Sequence, residues 1–141
     1  MGSKTTETPR NPMRRLAGET KLVEALTQHI CASLLPGDTP FEKTKVREAA
    51  KFVLDTAARR DAKRSAITLA SATDERRFMR IAVVNDDMPF LVDSVAATIA
   101  AQGLAIDRLV HPVIAVERDE KGTLTSLCDS RDSSASRESM I

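Results

Sequence analysis

Tryptophan and tyrosine are absent from this 141-residue chain, and only four phenylalanines are present. Strands so poor in aromatic side chains give single-stranded bases nothing to stack on. The charge balance points the same way: 21 Lys+Arg face 20 Asp+Glu, for a formal net charge of +1. A protein that grips a phosphate backbone normally carries a clear basic excess. No nucleic-acid partner is expected. Two cysteines, Cys31 and Cys128, are too few for a disulfide scaffold and belong to no Cys/His cluster, so zinc is not expected either. No apolar run approaches the roughly 20 residues of a membrane span, and the opening MGSKTTETPR lacks the apolar stretch of a secretory signal. There is no G-x-G-x-x-G turn and no Walker loop, so no nucleotide or other cofactor site is expected. What remains is a mixed α/β polypeptide, expected to be cytoplasmic and about the size of one domain or one small domain with an appendage.

Residues 1–15 are polar, carry Pro9 and Pro12 and show no period; they are expected to be a disordered lead. From Gly18 to Leu35 apolar residues recur at Leu22, Leu26, Ile30 and Leu34, beside Val23, which is one stripe of an amphipathic helix. Pro36-Gly37-Asp38 ends it. Thr39-Pro40-Phe41-Glu42 reads as a capping box for a second helix. Its apolar face runs Val46, Ala49, Ala50, Val53, Ala57, widened by Phe52 and Leu54. Two helices joined by a short turn form an antiparallel hairpin, here within residues 16–64.

Beyond Arg64 the apolar period falls to two. Ala66–Ala70 and Phe78–Val84 read as a strand hairpin, the second strand ending in Ile81-Ala82-Val83-Val84 as a central strand would. Phe90–Gln102 returns to helical register, with Leu91, Val95, Ile99, Val92 and Ala96 as its expected buried face and Gly103 closing it. Ile106–Glu117 is a long strand candidate broken by Pro112, which places it at an edge or a bulge. Asp119-Glu120-Lys121-Gly122 is a hairpin turn into a strand at Thr123–Leu127. Cys128–Ser139 reads as a flexible loop; the apolar pair Met140-Ile141 then reappears as if a further strand were starting, so the chain is expected to be part of something longer.

The densest polar feature is Asn85-Asp86-Asp87, with Asp93 further along. Such oxygen ligands could hold Mg²⁺ or Ca²⁺ in a metal-dependent enzyme. Aspartates at a helix N-terminus more commonly cap orphan N–H groups and favour the positive dipole end, and Asp93 falls on another side of the helix, so no metal is expected. His29 and His111 have no partner at catalytic or ligand spacing and read as structural. The basic residues Arg59, Arg60, Lys63, Arg64, Arg76, Arg77 and Arg80 read as a solvated surface.

Two motifs stand out: NDDMPFLVDSV at Asn85–Val95, and HPV at His111–Val113 followed by VERD at Val116–Asp119. Together they make the stretch Ile81–Asp119 resemble the N-terminal region of the large bacterial NAD-specific glutamate dehydrogenases. The resemblance implies an ACT-type domain, a βαββαβ module that typically regulates enzymes by binding amino acids. Asp87-Met88-Pro89-Phe90-Leu91-Val92 is similar to the ACT pattern Asp, any residue, Pro, Gly, Leu, Leu, but Phe90 stands where the pattern has glycine. A missing Cβ lets a ligand approach the backbone; a phenylalanine fills that space, which favours packing or subunit contact over ligand binding.

The expected fold class is therefore α+β: an N-terminal helical hairpin, then a partial ACT or ferredoxin-like β-α-β unit with an antiparallel sheet over residues 65–141. The resemblance implies a non-catalytic regulatory or oligomerisation segment of an NAD-dependent glutamate dehydrogenase, with NAD and the catalytic residues elsewhere in the parent enzyme. Partners are then the remainder of the dehydrogenase chain, a second copy, and an amino-acid effector. The candidate ligand or interface loop is Asn85, Asp86, Asp87, Met88, Pro89 and Phe90. The alternatives are a stand-alone amino-acid-binding module at the same loop and, behind it, the metal-dependent enzyme.

Overall fold

The computed structural model describes residues 12–73, 75–128 and 135–141. The elements are α1 (Pro12–Ala32), α2 (Lys43–Ala57), β1 (Ala66–Thr73), β2 (Arg77–Asp86), α3 (Leu91–Ala101), β3 (Val113–Arg118), β4 (Leu124–Cys128) and β5 (Ser136–Met140). Residues 1–11, most of the expected lead, lie outside the described residues.

The five strands form one antiparallel sheet in the order β1-β2-β5-β3-β4. Because β2 and β3 each run antiparallel to the β5 between them, they are parallel to each other and joined through α3. This is a split β-α-β unit whose gap is filled by a later strand. The fold is thus α+β and ACT-like. Residues 129–134 of the expected Cys128–Ser139 loop lie outside the described residues, while Ser136–Ser139, read from sequence as part of that loop, instead form the central strand with Met140. Its Ser-Arg-Glu-Ser-Met composition carries no apolar alternation, so the strand signal is missing from the sequence. β3 begins only after Pro112 and lies inside the sheet. Proline lacks the N–H for a ladder bond, but its carbonyl accepts from the Met140 N–H at 3.0 Å.

α1 and α2 pack together and onto one face of the sheet. Val23, Leu26 and Ile30 of α1 and Val46, Ala50, Val53, Leu54 and Ala57 of α2 meet Ala82, Val84, Ile114, Val116, Leu124 and Met140 in one core cluster. The helical periodicity read from the sequence is therefore the core. The expected capping box is not formed: α2 begins at Lys43, and its N-cap, Glu42, makes no side-chain cap bond. Asp38 holds the turn instead, its carboxylate accepting from the Leu35 N–H at 2.9 Å, while the Thr39 carbonyl accepts from Arg108 at 2.7 Å.

The opposite face differs. Register places Ile67 against Val83 and Leu69 against Ile81, with Met79 next along β2, and side chains of paired residues share a face. Val83 is buried, whereas Ile67, Leu69 and Met79 are 58, 59 and 56% exposed. α3 buries none of its residues. The expected buried face of Leu91, Val92, Val95, Ala96 and Ile99 is only half-buried, and none of these joins the core cluster. The core face was already occupied by α1 and α2, which the periodicity of α3 alone does not reveal.

Candidate functional site

At the carboxyl ends of the parallel pair β2 and β3 the sheet opens into a cleft of about 360 Å³. A neighbouring hollow of about 450 Å³ shares Val116, Arg118, Asp119 and Ser136 with it. Four chain segments place charges there, Asp86 at the end of β2 among them. Arg60 follows α2, and its backbone N–H donates to the Gly122 carbonyl at 3.0 Å. Arg118 ends β3 and Glu138 sits in β5.

Glu138 is 1% exposed and Arg60 6%. The Glu138 carboxylate accepts from Arg60 Nε at 3.3 Å and Nη2 at 2.9 Å. Arg118 grips it bidentately, Nε and Nη2 each at 2.9 Å, which is the geometry a guanidinium fork supplies best. Arg60 also donates from Nη2 to Asp86 and from Nη1 to the Arg64 carbonyl. Burial works against the Arg60 charge, but the hydrogen bonds to Asp86 and Glu138 more than offset it, so its pKa is held above the ordinary value. The four side chains sum to zero charge, which is how a buried carboxylate is tolerated.

The β3–β4 turn supports this arrangement. Asp119 Oδ1 accepts from the Lys121 and Thr123 N–H groups, both at 2.9 Å. The Thr123 backbone bond chiefly draws the Asp119 pKa below the usual carboxylate range. Gly122 adopts φ +80°, and a Cβ there would stand 2.2 Å from the Arg60 carbonyl oxygen.

Of the six loop residues singled out in the sequence, only Asp86 reaches the cleft. Asn85 accepts from the Asp86 N–H at 2.9 Å. Asp87 faces β5 instead, accepting from the Ser139 hydroxyl at 3.0 Å while its N–H donates to the Arg137 carbonyl. Met88, Pro89 and Phe90 are exposed. Phe90 keeps the left-handed backbone, φ +64°, that suits the glycine of the resembling pattern, but its side chain is 78% exposed. It therefore plugs nothing. Arg60, expected on a solvated surface, is buried. Sequence reading missed Arg60, Arg118 and Glu138 as a set, because only the unrecognised β5 brings them together; the reappearing apolar pair Met140-Ile141 was the available signal.

Among the described residues no group of three or more His, Cys, Asp or Glu could hold a metal ion. Asp86 is committed to Arg60 and Asp87 to Ser139, while Asp93 lies in the first turn of α3. The β2–α3 turn does not fit a dinucleotide either: Asp86 and Asp87 would repel a pyrophosphate, and Asp87–Phe90 contains no glycine. His111 Nε2 is buried without a hydrogen-bond partner. No helix among the described residues is long and apolar enough to cross a membrane.

An antiparallel sheet holding a split β-α-β unit, with a charged cleft at its open end, places the chain among ACT-like α+β domains. The family model described as the ACT1 domain of glutamate dehydrogenase matches residues 28–141, and the chain belongs to that family. The NAD-specific glutamate dehydrogenase of Halomonas elongata is 38% identical over an alignment of 63 residues, a match that covers 43% of this chain and 4% of that protein. The matched part is thus a small fraction of that relative's length. No solved structure matches the chain.

Proposed function

We propose that this chain is the N-terminal regulatory and oligomerisation segment of a large, cytoplasmic NAD-dependent glutamate dehydrogenase. It does not itself react: the oxidative deamination of L-glutamate to 2-oxoglutarate, and the NAD it needs, belong to the rest of the parent enzyme. The observation that carries this reading is apolar surface without a partner. Ile67, Leu69, Met79 and Phe90 are all more than half exposed, and α3, with only Asp93 charged, buries nothing. Contiguous exposed apolar surface marks contact sites, and in a family member this long the contacts are with other parts of the enzyme or with a second copy. The test is full-length enzyme carrying Phe90→Ser, or Ile67→Ser with Leu69→Ser, followed by sedimentation and by the response of glutamate oxidation to added amino acids. A changed assembly state or effector response, with an unchanged KM for glutamate, supports the reading. Unchanged assembly and regulation refutes it.

One observation favours the second reading, a module that binds an amino acid itself. Asp86 is half-exposed at the cleft mouth beside buried Arg60, an opposed pair of charges to which a zwitterion is complementary. Thermal shifts across an amino-acid panel decide this, since a ligand at 100 times its Kd stabilises by about 2.7 kcal/mol. No shift with any amino acid removes it.

A further inference from the structure

β5 holds the central place in the sheet while having almost no apolar reason to be there. Of its five residues only Met140 is apolar. Its ladder is short, pairing with β2 over Val84–Asp86 and with β3 over Val113–Val116, extended by the two Val83–Ile141 backbone bonds at 2.8 and 2.9 Å. What marks the strand is Glu138, buried and held by arginines from two different segments. A buried carboxylate stays charged only while its partners hold it.

One of those partners is shared. Arg60 Nη2 serves both Glu138 inside the sheet and Asp86 at its rim, and Asp86 is 49% exposed. The charged groups that contact Glu138 are Arg60, from the α2–β1 connection, and Arg118, from β3; Asp86 acts on it through Arg60. We propose that Asp86, Arg60, Glu138 and Arg118 form a latch that couples the cleft at the end of β2 to the seating of β5 between β2 and β3. A cationic group drawn to Asp86 from the cleft removes one restraint on Arg60, and the loosened guanidinium then holds Glu138 less firmly. Met140 anchors one end of β5 in the α1–α2 core, so the latch governs the Ser136–Glu138 end of the strand, apart from that core and from the tip of the β1–β2 hairpin.

Hydrogen exchange of the 141-residue chain, resolved by segment, tests this with two variants. Glu138→Gln keeps the shape and removes the charge. It is expected to speed exchange about 100-fold at the Ser136–Glu138 end of β5 and in the facing amides of Asp87, Ile114 and Val116, leaving α1, α2 and the tip of the β1–β2 hairpin protected. Asp86→Asn, altered at a half-exposed position, is expected to give the same pattern at about 5-fold. Acceleration spread evenly over all elements in Glu138→Gln overturns the proposal, because β5 then opens only with the whole fold. Unchanged β5 exchange in Asp86→Asn overturns it as well, and that variant decides alone if Glu138→Gln does not fold.

Discussion

α2 and α3 are nearly equal candidates by periodicity and opposite in outcome. α2 carries six charged residues in fifteen, yet it buries Val46, Ala50, Val53, Leu54, Thr56 and Ala57. α3 carries one charge, Asp93, in eleven and buries nothing. The difference teaches that amphipathicity says which face seeks cover, while position in the fold says whether cover is available within the chain. α2 stands over the sheet face that holds the core. α3 is the crossover of the split unit, and its apolar residues remain half-buried. One helix is core; the other is left without cover among the described residues.

The sharpest way to break that comparison is truncation. Leu26→Ala, at a fully buried position facing α2 and the sheet, is expected to cost about 3 kcal/mol, since the cavity adds to the lost transfer energy. Val95→Ala in α3 is expected to cost under about 1 kcal/mol. Urea denaturation of both variants measures the difference; equal losses would mean that α3 is core after all.

Gly122→Ala probes the charged side of the covered face. Its Cβ would collide with the Arg60 backbone at a positive φ, and the left-handed conformation alone costs about 1–2 kcal/mol. A loss of at least about 2 kcal/mol is therefore expected, measured by the same denaturation, with the β3–β4 turn exchanging faster as the Arg60–Gly122 backbone bond is lost. A loss below that would show that the β3–β4 turn moves independently of the core.

Phe90→Gly runs the other way. The residue is mostly exposed and holds φ +64°, so glycine relieves strain while little buried area is lost. A gain of about 1 kcal/mol is expected, together with weaker self-association or weaker docking to the parent enzyme in sedimentation. A destabilised variant would place Phe90 among the packing residues and weaken the contrast between the two helices.

The contrast also explains what could be read from the sequence. Leu26, Ile30, Val46 and Val53 announced their own helices because each lies on a repeating stripe, and periodic burial is what a sequence records most directly. The β1–β2 and β3–β4 hairpins were legible for the same reason, with Gly122 marking the second turn. β5 was not, because Arg137, Glu138 and Ser139 are ordinary loop residues until Arg60 and Arg118, 78 and 20 positions away, arrive to hold Glu138. The loop Asn85–Phe90 was noticed for its composition, yet its members point to different ends: Asp86 to the cleft, Asp87 to β5, Phe90 outward. A charge cluster assembled from distant segments has no period and no motif; only the fold assembles it.

The smallest expected effect concerns acid. Asp119 is exposed, its pKa depressed chiefly by the Thr123 N–H and then by the Lys121 N–H. A carboxylate with a folded pKa below its unfolded one stabilises the native state above the unfolded pKa, and that contribution disappears as pH falls through the folded value. Between about pH 4 and the lower folded pKa, the β3–β4 turn should therefore loosen before the α1–α2 core does. Amide exchange at Lys121 and Thr123 followed from pH 6 down to pH 3, after correction for intrinsic rates, reads this directly. Asp119→Asn should abolish the pH dependence of that local opening while leaving exchange in α3 unchanged. If α3 instead opened with the turn, the cleft side and the α3 side would be one cooperative unit, and the division between a core helix and one apart from it would be wrong.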